Sequence, residues 1–103
     1  AAAFLALVVR DEPGAGCSFY AHESFESVGG RRLAELVTAE LAAASLGGEV
    51  RPPRGMRLPV LRETRMPAVV VEIGPPTAVV AGAPAIVEAL AAAVEGWVRS
   101  PVA

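Results

Sequence analysis

The chain has 103 residues, 53% of them hydrophobic but only 5% aromatic, and nine basic against eleven acidic side chains give it a formal charge of −2. That length makes residues 1–103 one domain, whose small core must be built from Ala, Val and Leu. A near-neutral charge, few aromatics and no long basic run exclude a phosphate-tracking or base-stacking surface, so nucleic acid is not an expected partner.

The opening AAAFLALVV is apolar, lacks a preceding basic region and meets Arg10 and Asp11 at once. It is shorter than a membrane span, and is expected to be neither an anchor nor an intact signal peptide. Within it, Phe4 to Val9 reads as a central strand, closed by the turn-forming RDEPGAG. Residues 17–21 read as a second strand. The single cysteine there, Cys17, excludes an intramolecular disulfide, leaves the redox compartment open and is expected to be buried.

Between residues 27 and 46, Leu33, Leu36, Val37 and Leu41 recur at helical spacing, with Ser24 or Ser27 as the cap and Gly47 and Gly48 as the stop. Arg51, Arg54 and Arg57 are interleaved with Pro52, Pro53 and Gly55, which predicts a solvated loop rather than an anion site. Residues 58–61 form a short extended or one-turn segment, and residues 68–73, with three consecutive valines, a strand. Pro75, Pro76 and Gly82 then break the chain. Pro84 opens a last helix whose buried face is expected to carry Ile86, Val87, Leu90, Val94, Trp97 and Val98, and Pro101 stops it. Apolar rather than alternating strands predict an α/β fold with a mostly parallel sheet and helices on both faces.

One residue of the valine strand is out of character. Glu72 ends a β-branched run that otherwise reads as fully buried, and a carboxylate there is costly unless it is paired, binds metal or stands at the lip of a cleft. The carboxyl ends of strands in such sheets open onto ligand crevices. Glu72 therefore reads equally as a general acid or base and as the partner of Arg10, Arg62 or Arg65. The remaining chemistry is thin. A catalytic zinc needs three protein ligands, whereas the chain has one histidine and one cysteine, and His22 reads as a loop or cap residue. Cys17 within a strand is a poor nucleophile, and the glycines form no phosphate-cradling loop.

Taken together, FLALVVRDE, GCSFYAHES, GGRRLAELVTAEL and LPVLRETRMPAVVVEIG resemble the second half of the zinc-dependent N-acetylmuramoyl-L-alanine amidases, which cleave peptidoglycan. The most specific part is the last, which is similar to that family's leucine-rich segment, its R-x-T-x-M-P-A linker and a strand ending in the catalytic glutamate. The resemblance covers nearly the whole chain. It implies a mixed sheet flanked by helices, hydrolysis of the amide between the lactyl group and the first alanine of the stem peptide, and the general acid/base role for Glu72. It also implies a zinc histidine at the position of Val8, where the family strand reads F-L-S-L-H. Valine cannot ligate a metal, and the half that carries the other two ligands has no counterpart in these residues. Gly74 is followed by Pro75 and Pro76 where the family continues Gly-Phe.

The resemblance with these departures implies a non-catalytic amidase-like domain, with no cofactor, in a peptidoglycan-related binding or regulatory role. The Ala-, Val- and Arg-rich composition suits actinobacterial relatives thought to act as regulators or scaffolds. Two alternatives stand beside this reading: part of an active amidase, which alone would need zinc, and a small protein-interaction domain. Either the cell envelope or the cytoplasm is compatible. A sheet without the family's first strands is expected to expose an edge at residues 4–9 or 68–73 and to self-associate or bind a protein partner through it.

Overall fold

The computed structural model describes residues 3–22, 25–46, 48–57 and 67–100. In chain order it has β1 (Phe4–Val9), β2 (Gly14–His22), β3 (Phe25–Glu26), α1 (Val28–Ala43), β4 (Arg54–Met56), β5 (Ala68–Gly74), α2 (Pro76–Ala81) and α3 (Ala83–Arg99). The strands run β1-β5-β2-β3, and β4 also pairs with β2. β5 is parallel to β1 and antiparallel to β2, and β2 is parallel to β4 and antiparallel to β3. The sheet is mixed, as expected for the fold class, although its central pairing, β2 with β5, is antiparallel.

Alternation along the strands sorts their side chains to two faces. Val69, Val71 and Ile73 of β5 join Ala15, Cys17 and Phe19 of β2 beneath the helices, in one cluster with Leu33, Val37, Leu41, Ile86, Ala93 and Trp97. The opposite face carries a smaller cluster of Ala68 and Val70 with Phe4, Ala6 and Tyr20. Helices were expected on both faces; among the described residues, the helix side chains that reach a core cluster all join the first. β5 was a candidate for the exposed edge, but it lies inside the sheet, whereas β1 is paired on one side only among the described residues, as are β3 and β4 at the far side.

The Ser27 hydroxyl oxygen accepts the Gly30 amide at 3.1 Å and so caps α1, which ends at Ala43, before the expected glycines, with Ser45 at a positive φ of 53°. α3 buries Ile86, Ala89, Ala93 and Trp97, whereas Val87 and Val98 are exposed. The two helices are tied at one end: Trp97 Nε1 donates to the Gly29 carbonyl at 3.1 Å and Arg32 Nε to that of Ser100 at 3.1 Å. α2 fills what read as a break, because proline is tolerated in a first helical turn. Residues 58–61, Ser24, Gly47 and Pro101 lie outside the described residues. No described helix is long and apolar enough to cross a membrane.

Two further expectations are corrected. β2 begins at Gly14 rather than residue 17, and its last residue is His22, which read as a loop position. The arginine-rich segment is not a free loop. Ala15 donates to the Glu49 carbonyl at 2.8 Å and Arg51 to that of Ala15 at 2.9 Å, Val50 bridges to Ala15, and Arg54, Gly55 and Met56 pair with Ser18, Phe19 and Tyr20. Residues 49–51 thus strap the start of β2, and β4 extends its far edge.

Cys17 is 2% exposed at the centre of the helix-covered face, and desolvation by burial pushes its thiol from the ordinary 9.0 up to about 12. Ellman's reagent is expected to leave it untouched at pH 8 until denaturant is added. The pH dependence has a definite sign. Above pH 9 the unfolded chain loses this proton while the folded chain keeps it, so stability present below 9 is lost as pH rises towards 12. Cys17→Ala should flatten that decline in alkaline melts; an equal decline in both proteins would refute the assignment.

Candidate functional site

Register brings Val8, Glu72 and Gly16 into one row across β1, β5 and β2, with Val8 opposite Glu72 on one side and Gly16 opposite it on the other. Directly opposed residues share a face of the sheet, so this row lies on the face away from the described helices. The Glu72 side chain is 31% exposed and its Oε2 stands 3.1 Å from Arg10 Nη1. Arg10 is held there because its backbone amide donates to the Ile73 carbonyl at 2.9 Å, which carries the β1–β5 pairing one residue past the strand. Of the three arginines that sequence offered as partners, Arg10 makes the pair, while Arg62 and Arg65 lie outside the described residues.

On the other flank of Glu72, Gly16 leaves the strand bare, and the Arg51 guanidinium occupies the space. A Cβ on Gly16 would stand 2.8 Å from Arg51 Nη2, 3.0 Å from Nε and 3.2 Å from Cζ. Arg54, opposite Ser18, falls on the same face. Together Arg10, Glu12, Arg51, Arg54 and Glu72 line a cavity of about 230 Å³, in which three guanidiniums face two carboxylates. His22 is six residues from Gly16, about 20 Å along β2, at the opposite end of the sheet. The site thus gathers Glu72 and Val8, which sequence singled out for chemistry, with Arg51, which it read as part of a solvated loop, and Gly16, which it read as part of a turn. The signal for Gly16 was present: Ala15, Cys17 and Phe19 alternate with small residues in strand fashion from Gly14 onward.

Neither a protein-family model nor a curated protein matches the sequence. Solved structures do. An N-acetylmuramoyl-L-alanine amidase from Clostridium difficile 630 superposes with a TM-score of 0.76 at 15% identity, over 95% of this chain and 58% of that one. A second, from Nostoc punctiforme, gives 0.71 at 22% identity over 94% of this chain and 58% of the other. The fold is that of part of an amidase domain. This chain spans less than two thirds of either amidase.

The amidase resemblance implies zinc, and the described residues around Glu72 do not fit it. Val8 has no donor atom, Glu72 is engaged by Arg10, and the next position in the row is covered by a second guanidinium. No group of three His, Cys, Asp or Glu side chains that could hold a metal occurs among the described residues. A zinc ion seated beside Glu72 would meet the charges of Arg10 and Arg51 at close range, which opposes binding.

Proposed function

We propose that the chain is a non-catalytic amidase-like domain that binds peptidoglycan or serves a cell-wall regulatory role. The observation that carries this reading is the Val8–Glu72 register within an amidase fold. The residue matching the family's catalytic glutamate stands beside the residue matching its zinc histidine, but the latter is a valine and the former is engaged by Arg10. Glu72 then acts as a salt-bridge residue. With Arg10 half exposed, that pair contributes no more than about 1 kcal/mol.

Purified cell-wall sacculi are expected to retain the protein on sedimentation and to release no peptide, with or without added zinc. Glu72→Gln should leave both results unchanged and shift the unfolding free energy by no more than about 1 kcal/mol. Zinc-dependent release that disappears in Glu72→Gln would overturn the non-catalytic reading.

The 58% coverage of each amidase supports a second reading, in which the chain is part of a working zinc amidase. In that reading another residue replaces the histidine lost at Val8, and the longer protein would be expected to bind near-stoichiometric zinc next to Glu72 without any substitution. Self-association is supported by the outer edge of β1, which is unpaired among the described residues and bears the exposed Leu7 and Val9. A monomer in sedimentation equilibrium at high concentration would remove it.

A further inference from the structure

We propose that the cavity between Arg10, Arg51 and Arg54 is a binding site for an oxyanion, a carboxylate or a phosphate, with Arg51 as its principal ligand. This goes beyond the peptidoglycan reading and does not depend on it.

Arg51 is positioned before any ligand arrives. Its backbone amide is bonded to Ala15 at 2.9 Å, and residue 50 is bridged to Ala15 as well, so the strap cannot swing away without breaking its pairing with β2. Its guanidinium lies against Gly16, at a place any larger residue would occupy. A planar fork placed beside Gly16 by this backbone anchoring presents parallel N–H donors, the geometry that carboxylates and phosphates accept in bidentate fashion.

Charge points the same way. Arg10 is matched by Glu72, whereas Arg51 and Arg54 have no ion-pair partner among the described residues. Two uncompensated guanidiniums therefore face one cavity, with Glu12 as the remaining carboxylate at its lining. The volume of about 230 Å³ holds a small anion or the end of a longer molecule rather than a lone water. Glu72 keeps Arg10 turned towards the row, so the two elements of the site support each other. Where the resemblance implies a cation, this arrangement suits an anion.

The test is a ¹⁵N heteronuclear NMR titration of the whole chain at low salt with three probes: N-acetylglycine, its uncharged amide, and inorganic phosphate. N-acetylglycine or phosphate is expected to shift the amides of Gly14, Gly16 and Glu72 saturably, the amide probe is not, and added salt should weaken the effect. Whichever anion binds more tightly identifies the source of the oxyanion.

Arg51→Ala should weaken binding about tenfold or more, as loss of a charge-assisted bidentate contact does. Gly16→Ala is the second variant. It keeps every charge, and its methyl group meets only the end of a flexible side chain, so the protein should fold with the guanidinium displaced and binding weakened. Arg57→Ala, outside the cavity lining, should bind as the parent does. Equal binding of the amide probe, no saturable binding of either anion, or equal losses in the Arg51 and Arg57 variants would each overturn the proposal. Anion binding without retention by sacculi would leave this site standing and remove the peptidoglycan reading; retention without anion binding would do the reverse.

Discussion

Trp97→Ala is expected to destabilise the protein by about 3–5 kcal/mol, measured as urea unfolding followed by circular dichroism. Trp97 is 3% exposed and belongs to the cluster that joins both long helices to the sheet. The buried cluster it belongs to is close-packed, so removing an indole leaves a cavity that its neighbours fill only in part. A cost of this size is a large fraction of the roughly 5–15 kcal/mol that holds a typical domain together, so the urea midpoint of the variant should fall markedly. Trp97→Phe separates the two contributions. It keeps most of the ring volume but gives up the bond from Nε1 to the Gly29 carbonyl, which should cost about 1 kcal/mol beyond the lost volume. A loss below about 1 kcal/mol for Trp97→Ala would mean that α3 does not pack on α1 as described.

The same helix shows where sequence reading and structure part. Ile86 and Trp97 are legible as core from their spacing, whereas Val87 and Val98, expected on the buried face, are exposed and Ala89 and Ala93 are buried. Between closely packed helices the selection runs the other way, since alanine lets α1 and α3 approach while valine holds them apart. In the sheet, the three valines of β5 rightly signalled a strand buried on both faces. They could not signal direction, because a central strand looks alike whether its neighbour runs parallel or antiparallel. Glycines misled in one place. Gly14 and Gly16 read as a turn but lie in β2, where residues 49–51 and the Arg51 side chain approach too closely for a Cβ.

The candidate site divides along the same line. Glu72 was legible because a carboxylate in an apolar run is a local anomaly, and Val8 because the resemblance aligned it. Arg10 was one of three possible partners until β1 was seen beside β5. Arg51 was legible as part of a basic cluster read as a solvated loop, but not as a neighbour of Glu72, for a physical reason: its position depends on a strap pairing with a strand 36 residues earlier in the chain, at Ala15. A non-local contact of that kind leaves no periodicity behind. The anion reading of the cavity therefore rests on tertiary structure, whereas the amidase resemblance rests on residues that sequence alone displays.

Gly74→Ala is expected to destabilise the protein by about 3 kcal/mol or more and to disorganise the site at once. A Cβ at this position would collide with the carbonyl oxygens of Arg10 and Glu12, which are backbone atoms and cannot rotate aside. The turn over residues 10–13 folds directly across the end of β5, and the Arg10 amide bond to Ile73 fixes it there. Forcing that turn outward must break this bond or move the Arg10 guanidinium away from Glu72. Gly74→Ala should therefore lose far more stability than Glu72→Gln, although it removes no charge and no polar contact of its own. Gly96→Ala, inside α3, is the matched control, because a Cβ there would lie 3.6 Å from Leu36 of α1, an ordinary contact. Helix propensity predicts that it stabilises by up to about 1 kcal/mol. Chemical denaturation of the three variants decides the point: if Gly74→Ala falls within about 0.5 kcal/mol of the parent, the turn does not rest on Gly74, and the placement of Arg10 beside Glu72 loses its support.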